Sequence, residues 1–160
     1  MENLPLLSET DLKIFVEPHG LFPQKGRPED VGLDLTARQV TLEVERTDEV
    51  EAFMVDFGVR VEPPQGYYME LIPRSSLAWT GFIMPNSVGV IDPEYRGIIM
   101  MPLIYLGDRE RAEHKAQELV GRRLAQLVLR RHYSAQPHLV TSDWLNNTQR
   151  GEAGFGSSGR

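Results

Sequence analysis

Short apolar runs separated by turn-forming residues make up most of the chain. Within Thr41–Glu45 and Gly58–Glu62, apolar and polar residues alternate with a period of two, the pattern of strands with one buried face. The pattern predicts strands at Leu12–Val16, Val40–Val44, Ala52–Val61, Tyr67–Ile72, Gly89–Ile91, Ile98–Leu106 and Leu124–Leu129. Many short strands joined by turns favour an all-β sandwich or barrel.

One stretch, Asp108–Leu119, departs from the strand pattern and has the composition of a helix. Its many charges predict a solvated surface excursion. It is expected to return as a strand by Gln117, and whether it is helical before that point remains open.

The composition is that of one globular domain. A length of 160 residues gives room for a single core, and 41% hydrophobic with 25% charged residues is ordinary for a folded protein. The chain has no cysteine, which excludes disulfides, thiol catalysis and zinc–thiolate sites. The histidines are scattered in sequence, so a metal site built from them is not expected.

Net charge and hydropathy argue against certain binding partners and against insertion into a membrane. A net charge of −6 argues against broad binding to nucleic acid or to anionic membranes. No apolar run reaches the roughly 20 residues that a membrane span needs. The first residues lack a basic region followed by an apolar run, so no signal peptide is predicted and a cytoplasmic location is expected.

The end of the chain differs from the rest, which divides it into a β domain at 1–141 and an arm at 142–160. The arm is polar and rich in glycine. It is either a frayed tail or a segment that becomes ordered over a bound ligand.

Three segments in the first two thirds of the chain hold residues with binding or catalytic chemistry. The carboxylate of Asp34 lies in the apolar start of a strand and needs a partner if buried. After Pro73, the run Arg74–Ser76 offers a guanidinium and two hydroxyls, which suit either a phosphate cradle or a capped surface turn. Asp92 and Tyr95 flank an Asp-Pro turn, which lines a pocket or simply joins two strands.

Two further segments follow in the last third. Gln126 interrupts an apolar strand, so its amide requires a hydrogen-bond partner. In Arg150–Arg160, four glycines allow close approach of the backbone to a ligand, and exposed N–H groups form anion-binding nests.

In this order the five segments resemble the motifs of the trimeric dUTPases, the deoxyuridine 5'-triphosphate nucleotidohydrolases. The resemblance spans Val31 to Arg160 and rests on the strings GLDLTA, PRSSLA, NSVGVIDPEYRG, RLAQLV and RGEAGFGSSGR. It implies a distorted jelly-roll β-barrel and a homotrimer whose active sites are shared between subunits. It further implies Mg²⁺-assisted hydrolysis of dUTP to dUMP and pyrophosphate, which limits uracil incorporation into DNA and supplies dUMP for dTMP synthesis.

The resemblance assigns the chemical step to a few side chains. Asp92 would be the general base for the water that attacks the α-phosphate, and Gln126 would hydrogen-bond near the phosphates or that water. Asp34 would orient the water shell of Mg²⁺, an ion held mainly by the substrate phosphates.

It also assigns the substrate contacts. Arg74, Ser75 and Ser76 would hold the phosphates, and Tyr95 would pack on the deoxyribose where a 2'-hydroxyl has no room. The uracil edge would be read by Asn86, Gly89, Val90 and Ile91. The residues that would close over the nucleotide are Arg150, Phe155, Gly156, Ser157 and Ser158, with Phe155 stacked on uracil.

Four features depart from the family pattern: Trp79, Ile98, Ala153 and the long stretch 106–120. None removes a catalytic group. A dCTP deaminase shares the Arg-Ser-Ser-Leu-Ala string, but it carries an arginine where Trp79 stands and a catalytic glutamate where Ile98–Leu106 has no acid. The rival from another class is a dUTPase-like regulatory binding protein, of viral or phage type, with Asp108–Glu118 as its surface.

Overall fold

The structure is a computed structural model that describes residues 11–42, 51–141 and 148. Within them, the strands are β1 Lys13–Val16, β2 Leu33–Thr36, β3 Gln39–Leu42, β4 Ala52–Asp56, β5 Val59–Glu62, β6 Tyr67–Pro73, β7 Phe82–Ile83, β8 Gly89–Ile91, β9 Met100–Tyr105 and β10 Arg123–Arg131. Two 3-10 turns, Ser75–Trp79 and Arg109–Arg111, and the short helix α1, Ala112–Gln117, complete the described elements.

The strands pair antiparallel in three sheets, which confirms the all-β class. Two four-stranded sheets have the orders β2-β10-β6-β8 and β3-β4-β9-β7, and β1 pairs with β5 in a third. Among the described strands, the hydrogen bonds do not close into a single barrel. Strands distant in sequence are neighbours in both larger sheets, so residues of separate motifs meet across β10 and β6.

Apolar side chains on the inner faces of the two larger sheets form one core. Leu71 and Leu127 of the first sheet, and Val55 and Leu103 of the second, are at most 1% exposed. Phe53 contacts Phe82 edge to face with ring centroids 5.7 Å apart. Because every second residue of a strand points to this core, the intervening residues of β2, β6 and β10 face outward and are available for a site.

The predicted strands are found, with one division and two additions. The run Ala52–Val61 forms two strands, β4 and β5, because Gly58 adopts a positive φ of 63° and its N–H binds the Asp56 carboxylate at 2.6 Å. β2, predicted only as a strand start, and β7 are strands too short for a clear period. The end of the predicted strand Val40–Val44, at residues 43 and 44, lies outside the described residues.

The charged stretch Asp108–Leu119 folds as the second 3-10 turn followed by α1. The expected return as a strand by Gln117 is wrong, because α1 extends to that residue and β10 begins only at Arg123. The predicted solvated excursion also has a buried side. Ala112, Ala116 and Leu119 are at most 1% exposed, and Gln117 donates from its side chain to the carbonyl of Val40 at 3.2 Å. Alanines at i and i+4 place a small apolar face on the core. Because most of the surrounding residues are charged, the composition of the stretch does not indicate this buried face.

The predicted arm cannot be compared with the structure, because 142–147 and 149–160 lie outside the described residues. In the part that the structure covers, no helix is long and apolar enough to cross a membrane.

Candidate active site

Asp34, Arg74 and Gln126 meet at one end of the first sheet. In the antiparallel ladders Gln126 lies opposite both Asp34 of β2 and Ile72 of β6. The Asp34 carboxylate is only 10% exposed, and its Oδ1 lies 3.2 Å from Nε of Arg74. The structure therefore brings together residues of three predicted segments and gives Asp34 the partner that its burial requires.

Arg123 also belongs to this cluster, although no role was predicted for it from the sequence. Its Nη1 donates to Oδ2 of Asp34 at 3.0 Å, so two guanidinium groups share the carboxylate. Arg123 begins β10 and is 55% exposed at its side chain, which leaves donors free to face solvent or an anion. Its place at the head of the RLAQLV string was the only sequence signal.

Gly32 makes room for the Gln126 side chain. A Cβ atom at Gly32 would lie 2.1 Å from Oε1 of Gln126, closer than any real contact. A glycine here thus allows the amide to lie against the backbone that leads into β2. The sequence placed Gly32 in a motif, but the contact could not be read from it because the two residues are remote from one another along the chain.

The segment after Pro73 forms the turn that the sequence predicted. Arg74 is extended, with φ −73° and ψ 149°, and the 3-10 turn Ser75–Trp79 follows it. Leu77 is buried and anchors the turn, whereas Ser75 and Ser76 are exposed. The two hydroxyls are therefore accessible beside Arg74. Trp79 is 88% exposed, so this departure from the family pattern lies on the surface of the single chain.

Asp92 and Tyr95 belong to a second group around a turn. The N–H of Tyr95 donates to the carbonyl of Asp92 at 3.0 Å, which confirms the predicted Asp-Pro turn. An open pocket of about 630 Å³ is lined by Asp92, Pro93, Glu94, Tyr95 and His132. His132 stands here because its N–H binds the carbonyl of Gly66 at 2.9 Å. Because the histidines are scattered in sequence, no role was predicted for His132.

The hairpin segment before this turn leads along the edge of the sheet. Gly89, Val90 and Ile91 form β8 and pair with Leu71, Glu70 and Met69 of β6. Val90 is 61% exposed, while Ile91 is buried, and Asn86 donates to the carbonyl of Val88 at 3.5 Å. The segment predicted to read a uracil edge therefore presents an exposed strand edge.

The two groups lie at opposite ends of β6. Asp92 follows Ile91, whose partner Met69 is near the start of β6, whereas Arg74 follows its last residue, Pro73. At about 3.3 Å per residue the separation along the strand is roughly 15–20 Å. One chain therefore does not bring Asp92 and Tyr95 to Asp34, Arg74 and Gln126.

A charged cluster occupies the outward face between the two groups. Glu70 accepts a hydrogen bond from Nε of Arg130 at 2.8 Å and from the Tyr68 hydroxyl at 2.9 Å. These donors hold the pKa of Glu70 below its usual value, and the same carboxylate raises the pKa of Tyr68. Glu70 is therefore ionised and paired at neutral pH.

The acidic side chains of the site limit the ways in which it could hold a metal ion. In the described part of the chain, no three His, Asp or Glu side chains are close enough to hold a metal ion. Both oxygens of the single carboxylate, Asp34, already pair with Arg74 and Arg123, so Asp34 would contact Mg²⁺ only through the water shell of an ion held mainly by substrate phosphates. The residues fit that arrangement. The predicted residues Arg150, Phe155, Gly156, Ser157 and Ser158 lie outside the described residues.

Comparison with known proteins places the chain in a family. A model of the dUTPase family matches residues 19–159. The deoxyuridine 5'-triphosphate nucleotidohydrolase of Escherichia phage T5 is 35% identical over 151 residues, 92% of this chain and 98% of the phage protein. The relative from Solibacter usitatus with the same name is 38% identical over 147 residues, 89% of this chain and 91% of that protein.

A solved structure supports the fold. The dUTPase of Staphylococcus bacteriophage 80alpha, determined with dUpNHpp, aligns with a TM-score of 0.74 at 20% identity, covering 94% of this chain and 99% of that one. Since the family model covers nearly the whole chain and a relative above 30% identity is matched almost end to end, the chain belongs to the dUTPase family.

Proposed function

We propose that this chain is a dUTP diphosphatase that hydrolyses dUTP to dUMP and pyrophosphate. The observation that carries the proposal is the cluster of Arg74, Gln126 and Arg123 around Asp34, in a chain that belongs to the dUTPase family. Guanidinium forks, an amide and exposed serine hydroxyls at one sheet end form a donor-rich surface for a triphosphate.

Each residue in this proposal has a defined task. Arg74 donates to phosphate oxygens while Asp34 holds its guanidinium by the other side. Ser75 and Ser76 add hydroxyl donors, and Gln126 orients the phosphates or the attacking water. The carboxylate of Asp92 takes a proton from that water as it attacks the α-phosphate.

The phosphate site would be completed by a divalent cation. Asp34 is the residue that would hold Mg²⁺ through its water shell, and the ion when bound would neutralise part of the triphosphate charge. Support comes from the chemistry of the donor set and from family membership.

The same proposal covers substrate selection. Tyr95 packs on the deoxyribose, Asn86 and the backbone of Gly89–Ile91 read the uracil edge, and the arm from Arg150 to Ser158 closes over the nucleotide with Phe155 on the base. The exposed edge of β8 and the pocket beside Tyr95 agree with these tasks.

We further propose a homotrimer in which a site combines residues of different subunits. The support is the separation along β6, since Asp92 and Arg74 of one chain are too far apart to act on adjacent atoms of one substrate. In this proposal the enzyme works in the cytoplasm, where it limits uracil incorporation into DNA and supplies dUMP for dTMP synthesis.

The test is pyrophosphate release from dUTP, with dCTP, dTTP and UTP as competing substrates. We expect release from dUTP in the presence of Mg²⁺ and far less from the others. Ammonia release from dCTP would identify a deaminase instead. Tight dUTP binding without turnover would identify a regulatory binding protein, the second candidate from the sequence.

A further inference from the structure

The Tyr95 ring is fixed by its own turn. Its hydroxyl donates to the carbonyl oxygen of Ile98 at 2.9 Å, although the residue remains 42% exposed. The ring is thus held at both ends, by its backbone and by its hydroxyl. Because Ile98 contributes a backbone carbonyl, its departure from the family pattern leaves this contact unchanged.

Gly97 provides the space into which the ring folds. A Cβ atom at this position would lie 2.2 Å from the Tyr95 hydroxyl oxygen and 2.4 Å from Cζ. Any side chain at Gly97 would therefore push the ring out of this position.

Arg96 holds the backbone on which the ring is mounted. Its Nη1 donates to the carbonyl of Pro93 at 2.6 Å and to that of Tyr95 at 3.0 Å. One guanidinium nitrogen therefore ties the middle of the turn to its end. Its Nε faces Glu62 at 3.6 Å.

The turn that Arg96 holds is also attached to the two-stranded sheet of β1 and β5. Arg60 of β5 donates to the carbonyl of Arg96 at 2.8 Å and pairs with Glu17 at 2.6 Å. Glu62 also pairs with Lys13 of β1 at 2.6 Å, a contact that lowers the pKa of Glu62 and keeps it ionised for Arg96. The N–H of Ile99 binds the carbonyl of Val59 at 2.8 Å, which fixes the far side of the turn.

We propose that Arg96 and Gly97 are positioning residues for sugar selection, because they fix the Tyr95 ring where it excludes a 2'-hydroxyl. This rests on the proposed function, in which Tyr95 faces the deoxyribose. A ring excludes a 2'-hydroxyl only when it cannot move away from the sugar. The hydrogen bonds of Arg96 to the turn backbone and the space at Gly97 therefore set the discrimination between dUTP and UTP.

The first test replaces Arg96 by methionine, which keeps the aliphatic stem and removes the donors. The readout is the ratio of kcat/KM for dUTP to that for UTP, and we expect it to fall on the order of tenfold. Arg109→Met is the matched control, since Arg109 is an exposed arginine paired with Glu51 away from this turn. It should leave the ratio unchanged.

The second test replaces Gly97 by alanine. The matched control is Gly107→Ala, because a Cβ there would meet the Tyr105 hydroxyl at 2.5 Å in the same i, i+2 relation but outside the pocket. We expect Gly97→Ala alone to lower the dUTP to UTP ratio. Melting temperatures of all four variants show whether a change in the ratio accompanies a general loss of folding.

The outcomes separate this inference from the proposed function. A wild type that hydrolyses dUTP, together with an unchanged ratio in folded Arg96→Met and Gly97→Ala proteins, would overturn the positioning role alone. Equal losses of kcat/KM for both nucleotides would mean that the turn is merely structural, which also overturns it. A wild type without hydrolysis of dUTP or preference for it would overturn both proposals.

Discussion

Asp34 lies opposite Gln126 across β2 and β10, and its carboxylate also holds the guanidinium of Arg74 at 3.2 Å. Residues opposite one another in an antiparallel ladder point to the same side of the sheet. The amide and the carboxylate therefore face outward together, and Arg74 arrives from the neighbouring end of β6. The register of β10 with its two neighbours creates this cluster.

Gly32→Ala should damage activity by displacing the Gln126 side chain. The added Cβ would lie 2.1 Å from Oε1 of Gln126, so the amide must turn away from its present place. We expect kcat for dUTP to fall by on the order of tenfold or more, as when one positioned donor is lost. Steady-state kinetics measure the change.

Gly107→Ala serves as the control for this substitution, because its Cβ would meet the Tyr105 hydroxyl beside β9, which belongs to the other four-stranded sheet. If Gly32→Ala retains wild-type kcat while a crystal structure shows the amide displaced, Gln126 has no part in the chemical step.

Asp92→Asn should bind nucleotide but turn it over slowly. The amide has nearly the shape of the carboxylate and cannot accept the proton of the attacking water. General-base assistance is typically worth about 10²–10⁴-fold in rate, and we expect a loss of that size in kcat with binding of dUpNHpp preserved. Calorimetry and pyrophosphate release give the two quantities.

Asp108→Asn is the matched control for Asp92→Asn, since Asp108 also begins a turn, and asparagine replaces it well as a cap. A kcat within twofold or so of wild type in Asp92→Asn would assign the base to another group.

Acid should remove the contribution of Glu70 to folding stability. Arg130 and Tyr68 hold the pKa of Glu70 below its usual 4.5, so the folded state favours the carboxylate. The contribution is complete above pH 4.5 and is lost as the pH falls through the lowered pKa of the folded state. The difference in melting temperature between wild type and Glu70→Gln should therefore shrink from about pH 7 to about pH 3.

Arg130→Met provides the comparison for this effect. Without the guanidinium, the pKa of Glu70 should move back toward its usual value, and the pH dependence should weaken. A melting difference between wild type and Glu70→Gln that grows with acid would contradict the assigned sign.

The alternating pattern predicted most of the strands because a strand's period is a local property. The prediction of strands from this pattern fails at Gly58, because the positive φ of that residue divides one apolar run into β4 and β5. In α1 the two buried alanines are too small to stand out among the charges around them. The composition of such a helix reflects its solvent-facing side and does not indicate its buried side.

The site was predicted as a set of residues, and its arrangement was not. Motif resemblance chose Asp34, Arg74 and Gln126, but their meeting depends on the pairing of β2, β10 and β6, which no local pattern specifies. Arg123 was missed for the same reason, because its partner is set by that pairing. The roles of these residues, and those of the arm, remain predictions.

The separation of Asp92 from Arg74 along β6 leads to a test by mixing two inactive proteins. Asp92→Asn and Arg74→Met should each be nearly inactive alone. In the proposed trimers, formed from equal amounts of both, a site shared between two subunits would draw Asp92 from one chain and Arg74 from another. Each is intact in half of the chains, so about a quarter of the sites regain both, and about a quarter of wild-type activity should return.

If both residues acted within one chain, every site would lack one of them and the mixture would stay inactive. Native mass spectrometry establishes that mixed trimers are present, which makes an inactive mixture evidence against shared sites rather than against exchange.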